Sequence, residues 1–219
     1  MNSQIPIINF FINNNITALT INDYPVITVA WNIFLLLIPF FIGKKLISIW
    51  RKTKFKGAKS KIVGITLFCF WLLFAPNAAY VMTDVRHISG FCPNNYDRIC
   101  IDNAWMIFFF FTYGIIGWIA FVYLINQMKY LINKLWGKLG VLVYLWLISP
   151  IIALGVLLGL VNRWNSWDIV FYPQEIINGA LLYLNDWTYL KNLVIYTLFL
   201  YLLYFIGDNL FVEKFKFKK

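Results

Sequence analysis

The chain has 219 residues, of which 61% are hydrophobic and only 13% are charged, and its formal net charge is +10 at pH 7. A soluble domain of this composition could not cover its apolar surface with polar groups, so a water-soluble globular protein is excluded. The basic excess does not indicate a nucleic-acid-binding protein, because the chain contains no recognisable RNA- or DNA-binding motif.

Five long apolar segments follow one another along the chain, at residues 26–43, 62–82, 104–125, 139–161 and 193–212. Each is close to the roughly 20 residues that a helix needs to cross the hydrocarbon core of a bilayer. Backbone groups at that depth must be hydrogen-bonded internally, which favours helices. The sequence therefore predicts an all-α fold, a polytopic transmembrane helix bundle of about five spans that forms a single integral-membrane domain over residues 1–219.

The connections between these segments alternate in charge. Residues 44–61 hold eight Lys/Arg and no acid, and residues 126–138 hold three Lys and no acid. The segments 84–103 and 162–192 each contain more acids than bases. Since basic loops mark the cytoplasmic side, we predict the N-terminus outside and the C-terminus inside. The basic loops then face the inner leaflet, where anionic lipids would attract them.

Four polar side chains near the outer end of the second span share one helical face: Asn77, Tyr80, Asp84 and His87. At about 100° per residue, Arg86 is expected to point the opposite way. Pro76 removes a helical hydrogen bond, so we expect a kink there. Two interpretations stay open: a polar pocket framed by the kink, or a structural cap in which Asn77 satisfies freed carbonyls while Asp84 and His87 are simply hydrated at the lipid–water boundary.

A second polar stretch follows the fourth span, at residues 162–168. An arginine this close to hydrocarbon is costly unless it is paired or reaches the surface. The partners available to Arg163 at that depth are Asp84 and Asp168. Because a guanidinium suits a carboxylate and a phosphate equally well, Arg163 is either an interhelical clasp on Asp84 or an anion-binding group.

The chain resembles an uncharacterised bacterial integral-membrane family, domain of unknown function family 1361. The resemblance is carried by three motifs: Trp31-Asn32-x-Phe34-Leu35-x-x-x-Pro39, Pro76-Asn77-x-x-Tyr80-x-x-Thr83-Asp84-x-x-His87 and Arg163-Trp164-Asn165-Ser166-Trp167-Asp168. It implies a multi-pass protein of the bacterial plasma membrane and supplies no activity. The family's motif residues map onto Asn77, Tyr80, Thr83, Asp84, His87, Arg163, Asn165, Ser166 and Asp168.

Two classes of function fit these residues. The first is a membrane enzyme that acts on an anionic lipid or a lipid-linked envelope precursor. Its candidate catalytic residues are Asp84, His87 and Asp168, because a carboxylate can orient an imidazole for acid–base chemistry. Its candidate substrate-binding residues are Asn77, Tyr80, Thr83, Arg163, Asn165 and Ser166. The alternative is a non-catalytic transporter or accessory subunit, in which the motifs are interhelical clasps or a partner site.

The remaining features of the sequence concern a disulfide, a metal site, an ion pair and a surface helix. Cys92 and Cys100 share an outer loop and are a candidate disulfide in an oxidising compartment. With one histidine in the chain, no metal site is predicted. Asp208 is expected to be structural and to pair with Lys214 or Lys216. Residues 175–190 have the apolar spacing of a helix on the outer surface. No cofactor and no oligomeric state follow from the sequence.

Overall fold

The computed structural model describes residues 20–21, 24–91 and 104–211. Two short strands, β1 (Thr20–Ile21) and β2 (Tyr24–Pro25), pair antiparallel. The other elements of the described chain are helical: α1 (Val26–Thr53), α2 (Ala58–Phe74), α3 (Pro76–Met82), a 3₁₀ helix (Thr83–Phe91), α4 (Trp105–Leu160), α5 (Asp168–Phe171), α6 (Pro173–Asn185) and α7 (Trp187–Phe211).

Four helical segments of the described chain are long and apolar enough to cross a membrane: Ile27–Thr53, Ala58–His87, Trp105–Leu160 and Trp187–Phe211. The helix α4 has 56 residues, which would extend about 84 Å if straight, roughly twice the thickness of a bilayer with its headgroups. It breaks at Gly137, where φ is 67° and ψ is −161°. Its two arms, residues 105–136 and 138–160, are each of membrane length. The predicted transmembrane helix bundle is thus confirmed.

The two arms of α4 fold back on each other. The Tyr144 hydroxyl donates a hydrogen bond of 3.3 Å to the backbone oxygen of Ile125, which lies 19 positions earlier. Along a straight helix these two residues would be about 28 Å apart. The reversal needs a glycine, because the backbone angles of Gly137 belong to a region that residues with a Cβ avoid.

The predicted kink is present where α2 ends and α3 begins. The helix divides at Ala75, and Pro76 takes the first position of α3, where its missing N–H costs least. The Asn77 amide donates to the backbone oxygen of Phe74 at 2.9 Å. Asn77 therefore does cap a freed carbonyl, as one of the two interpretations of this residue proposed.

Glycines let α3 press closely against both arms of α4. A Cβ at Gly117 would lie 2.9 Å from the backbone oxygen of Ala78, and a Cβ at Gly155 would lie 2.5 Å from the ring of Pro76. Neither contact would be tolerated by a larger residue without a shift of backbone or ring. The close packing places the end of α3 beside the residues that follow the second arm.

The short helix α6 corresponds to the surface helix predicted over residues 175–190, but it ends earlier. Asp186 is extended, with φ −106° and ψ 129°, and its carboxylate accepts a hydrogen bond of 2.8 Å from the backbone N–H of Thr188. This is the arrangement of an N-cap, so a new helix, α7, starts at once.

The buried side of α6 carries Tyr183. Burial raises the pKa of Tyr183 above its ordinary value, and its hydroxyl donates to Asn162 Oδ1 at 3.4 Å.

Candidate functional site

The polar motifs meet at one end of the bundle, which we call the polar end. It combines the start of α1, the end of α3 with the 3₁₀ helix, and the loop 161–167 after α4. The Asn77 amide donates a hydrogen bond of 3.1 Å to Ser166 Oγ. The two stretches that the sequence singled out are therefore in direct contact, although 89 positions separate these residues.

Asp84 is the most deeply buried polar residue of this end, with 2% of its surface exposed. Its Oδ2 accepts a hydrogen bond of 2.9 Å from Asn32 Nδ2, and its Oδ1 lies 3.9 Å from His87 Nε2. The His87 side chain is 36% exposed, so it connects a buried carboxylate with the surface. Asp84 and His87 are thus near each other, but at 3.9 Å they are not hydrogen-bonded, and their acid–base role stays a prediction.

Arg86 joins this cluster instead of pointing away from it. Its guanidinium donates to the Tyr80 hydroxyl at 3.1 Å and to His87 Nε2 at 3.4 Å. The expectation of an opposite orientation was wrong because the helix tightens to 3₁₀ geometry at Thr83. At roughly 120° per residue from that point, Arg86 comes to within about 60° of Tyr80. In a neutral His87, the proton then belongs on Nδ1, since Nε2 accepts.

The loop 161–167 is ordered by Asp168. One oxygen of this carboxylate accepts from the backbone N–H of Asn165 at 2.7 Å and from the Asn165 amide at 3.0 Å. Asp168 is 9% exposed. Its contacts are local, so within the described chain it positions Asn165 rather than facing a substrate.

Arg163 does not make the ion pair that the sequence suggested. Among the residues that the structure describes, no carboxylate lies within salt-bridge distance of its guanidinium. Asp84 is bonded to Asn32 and Asp168 to Asn165, so both expected partners are occupied by neutral amides. Arg163 is exposed and has a left-handed backbone with φ 62°. The clasp on Asp84 is therefore not formed, and the anion-binding role of Arg163 stays a prediction.

A groove of about 520 Å³ runs from the polar end along α2 and the second arm of α4. We call it the first groove. Its polar lining consists of Asn32, Asn77, Tyr80, Arg163, Asn165 and Ser166. Its apolar lining includes Leu35, Leu72, Leu73, Leu154 and Leu158. Polar groups therefore gather at one end of a cavity whose other walls are mostly apolar.

Five of the six predicted substrate-binding residues line this groove: Asn77, Tyr80, Arg163, Asn165 and Ser166. Thr83 does not; its hydroxyl donates to the backbone oxygen of Tyr80 at 2.7 Å. The three predicted catalytic residues are not part of the lining. Two of them are connected to the lining by hydrogen bonds. Asp84 is bonded to the lining residue Asn32, and Arg86 joins His87 to the lining residue Tyr80.

Two residues of the polar end were not among the predicted site residues. The first is Asn32, although a lone amide within an apolar span is itself a signal. Arg86 was dismissed because a regular α-helix was assumed. In the described part of the chain, no group of three or more His, Cys, Asp or Glu could hold a metal ion. Cys92 and Cys100 lie outside the described residues, so their disulfide stays a prediction.

A second polar cluster joins the first arm of α4 to α7. Lys129 Nζ lies 2.9 Å from Asp208 Oδ2 and 2.9 Å from the Tyr204 hydroxyl, which donates to Asn126 Oδ1 at 3.3 Å. Asp208 was expected to pair with Lys214 or Lys216, which lie outside the described residues. Within the described chain it pairs with Lys129.

Searches of the curated proteins and of the solved structures find no match to this chain. A protein-family model does match, over residues 31–206, under the description "Protein of unknown function (DUF1361)". The matched range includes every polar residue discussed above from Asn32 to Asp168. Since it also covers most of the 219 residues, this membrane protein belongs to the DUF1361 family.

Proposed function

We propose that the first groove binds an amphiphile with an anionic headgroup, such as an anionic lipid or a lipid-linked envelope precursor. The observation that carries the proposal is the polarity of the groove: a cation and several hydrogen-bonding groups lie at one end, and mostly apolar side chains line the rest. Its volume of about 520 Å³ is within the usual range of ligand sites.

The polar end has the chemistry of a phosphate site. Arg163 offers a planar set of N–H donors, and in the described chain no carboxylate neutralises it. Asn165 and Ser166 flank it on the same loop and line the same groove. Ser166 Oγ already accepts from Asn77, so its own O–H is the donor that remains for a ligand.

The apolar end is reachable from lipid. Cys69 and Ile151 line the groove and are exposed. Such side chains at the mouth of a membrane-embedded groove would contact hydrocarbon, so a lipid tail can enter sideways while its headgroup stays at the polar end. From the charge of the loops, we place this end at the outer face of the plasma membrane of a bacterium.

Such a site fits two different functions, an enzyme that acts on the bound amphiphile and a non-catalytic protein that only binds it. The pair of Asp84 and His87, at 3.9 Å, favours an enzyme that uses acid–base chemistry on the bound amphiphile. The interhelical bonds Asn32–Asp84 and Asn77–Ser166 favour a non-catalytic protein in which they hold the groove in shape. Because Asp84, His87 and Asp168 do not line the groove, binding is the function that the geometry supports best.

The decisive experiment measures lipid retention. The protein is purified from nanodiscs of equal phosphatidylglycerol and phosphatidylcholine, and bound lipids are counted by native mass spectrometry. Arg163→Gln should lower the occupancy of this groove by phosphatidylglycerol about tenfold, the effect of losing one charge-assisted contact. Lys191→Gln is the matched control, since Lys191 is exposed and does not line the groove. Equal retention by both variants would refute the binding proposal.

A second measurement separates the two activities. In a strain whose deletion of this gene gives an envelope phenotype, Asp84→Asn and His87→Ala are compared with wild type. An enzyme predicts normal protein abundance and normal lipid retention, but no rescue of the phenotype. A non-catalytic binding protein predicts rescue by both variants at normal abundance.

A further inference from the structure

A second groove of about 420 Å³ lies on another face of α3, between the second arm of α4 and α7. Residues of its lining that matter here are Thr83, Arg86, Val156, Ile195, Tyr196 and Phe199. None of its lining residues belongs to the first groove. It is thus a separate site, built from α3, the start of the 3₁₀ helix, α4 and α7.

The second groove repeats the polarity of the first. Its cation is Arg86, with the hydroxyl-bearing residues Thr83 and Tyr196 also in the lining, while Val156 and Phe199 belong to its apolar walls. The Arg86 guanidinium donates hydrogen bonds to the hydroxyl of Tyr80 and to His87 Nε2. A guanidinium has five N–H donors in a planar fork, so it can hold such neighbours and a phosphate oxygen together.

Ile195 and Phe199 are exposed, so this groove too is reachable from the hydrocarbon of a bilayer. A soluble anion would gain nothing from these walls, and a neutral lipid would gain nothing from Arg86. Charge complementarity and apolar walls together fit one occupant: a membrane lipid with an anionic headgroup.

We propose that the second groove binds an anionic phospholipid, with its phosphate at Arg86 and one hydrocarbon chain along Val156 and Phe199. The assignment does not depend on what occupies the first groove. A hydrogen bond connects the two sites: Arg86 of the second groove donates to the hydroxyl of Tyr80, which lines the first groove, at 3.1 Å. The headgroups of two bound amphiphiles would therefore lie on either side of this hydrogen bond.

The test blocks the groove by volume. Ile195→Trp places a large side chain in the lining, whereas Leu198→Trp changes a neighbouring residue of α7 that is exposed but outside both grooves. Both proteins are purified from nanodiscs of equal phosphatidylglycerol and phosphatidylcholine, and bound lipids are counted by native mass spectrometry. Ile195→Trp should retain one phosphatidylglycerol fewer than wild type, and Leu198→Trp the same number. Equal counts in the two variants would overturn the proposal.

A charge variant tests the headgroup. Arg86→Gln should lower the occupancy of the second groove by phosphatidylglycerol about tenfold relative to phosphatidylcholine, with Lys191→Gln again as the control. If Arg86→Gln does not accumulate because its contacts with Tyr80 and His87 are lost, the Ile195→Trp comparison decides alone. The variant Arg163→Gln should remove a different lipid, so combining it with Ile195→Trp should remove both. If the combined variant loses no more lipid than Arg163→Gln, the second groove is not a separate site.

Discussion

Asn32 Nδ2 donates a hydrogen bond of 2.9 Å to Asp84 Oδ2, and this contact joins the first groove to a carboxylate that does not line it. Asn32 lies on α1 and Asp84 on the 3₁₀ helix, 52 positions apart. A buried carboxylate that loses its donor keeps the full cost of desolvation. The bond is therefore expected to affect both the packing of α1 and the geometry of the polar end.

Replacing Asn32 with Leu should lower the free energy of unfolding by roughly 1–3 kcal/mol, because Asp84 is left buried without this partner. Asp84→Asn should cost less, since an amide oxygen can still accept from Asn32. Thermal unfolding in detergent, followed by tryptophan fluorescence, measures both. Combining Asn32→Leu with Asp84→Leu should recover part of the loss, and purely additive losses would contradict this account.

Gly137→Ala should destabilise the protein by about 1–3 kcal/mol, the usual cost of a Cβ in a backbone region reserved for glycine. The cost is conformational only, because no atom lies within 4 Å of the added methyl group. Gly57→Ala is the control: its φ of −90° and ψ of 150° are ordinary for any residue. Melting temperatures of the two variants should differ clearly. If they coincide, the reversal of α4 does not depend on Gly137.

Lys129→Met should also destabilise the protein, by about 1–3 kcal/mol, since Asp208 then keeps a largely buried charge without its cation. The side chains of Lys129 and Asp208 are 31% and 19% exposed, so partial hydration moderates the loss. The double variant Lys129→Met with Asp208→Asn should be closer to wild type. Lys138→Met, which removes an exposed lysine of the same helix, should be neutral under the same unfolding assay.

The orientation in the membrane stays a prediction from charge, and fusions to alkaline phosphatase test it. The enzyme needs disulfides that form only outside the cytoplasm. Fusions after His87 and Trp167 should be active, and fusions after Lys56 and Lys138 inactive. Immunoblots of each fusion control for abundance. Activity at Lys56 would reverse the assignment of the polar end to the outer face.

Much of the fold could be read from the sequence because a bilayer imposes strict rules. The length of an apolar run decides whether it spans, and the need to satisfy every backbone group leaves the helix as the default. The residues of the first groove were also accessible, since Asn77, Tyr80, Arg163, Asn165 and Ser166 are polar groups at positions where lipid would favour apolar ones. The residue types along the chain were therefore enough to predict the spanning helices and to identify these polar residues.

The partners of these residues were decided only by the tertiary structure. The sequence offered Asp84 and Asp168 as partners for Arg163. In the structure, Asp84 accepts a hydrogen bond from Asn32, and Asp168 accepts one from Asn165. Arg86 entered the cluster because a 3₁₀ turn at Thr83 changed the helical angle by some 20° per residue. Spacing along a chain predicts which side chains share a regular face. It does not predict which distant segment will contact a given side chain, because that depends on how closely the glycine-lined helices pack.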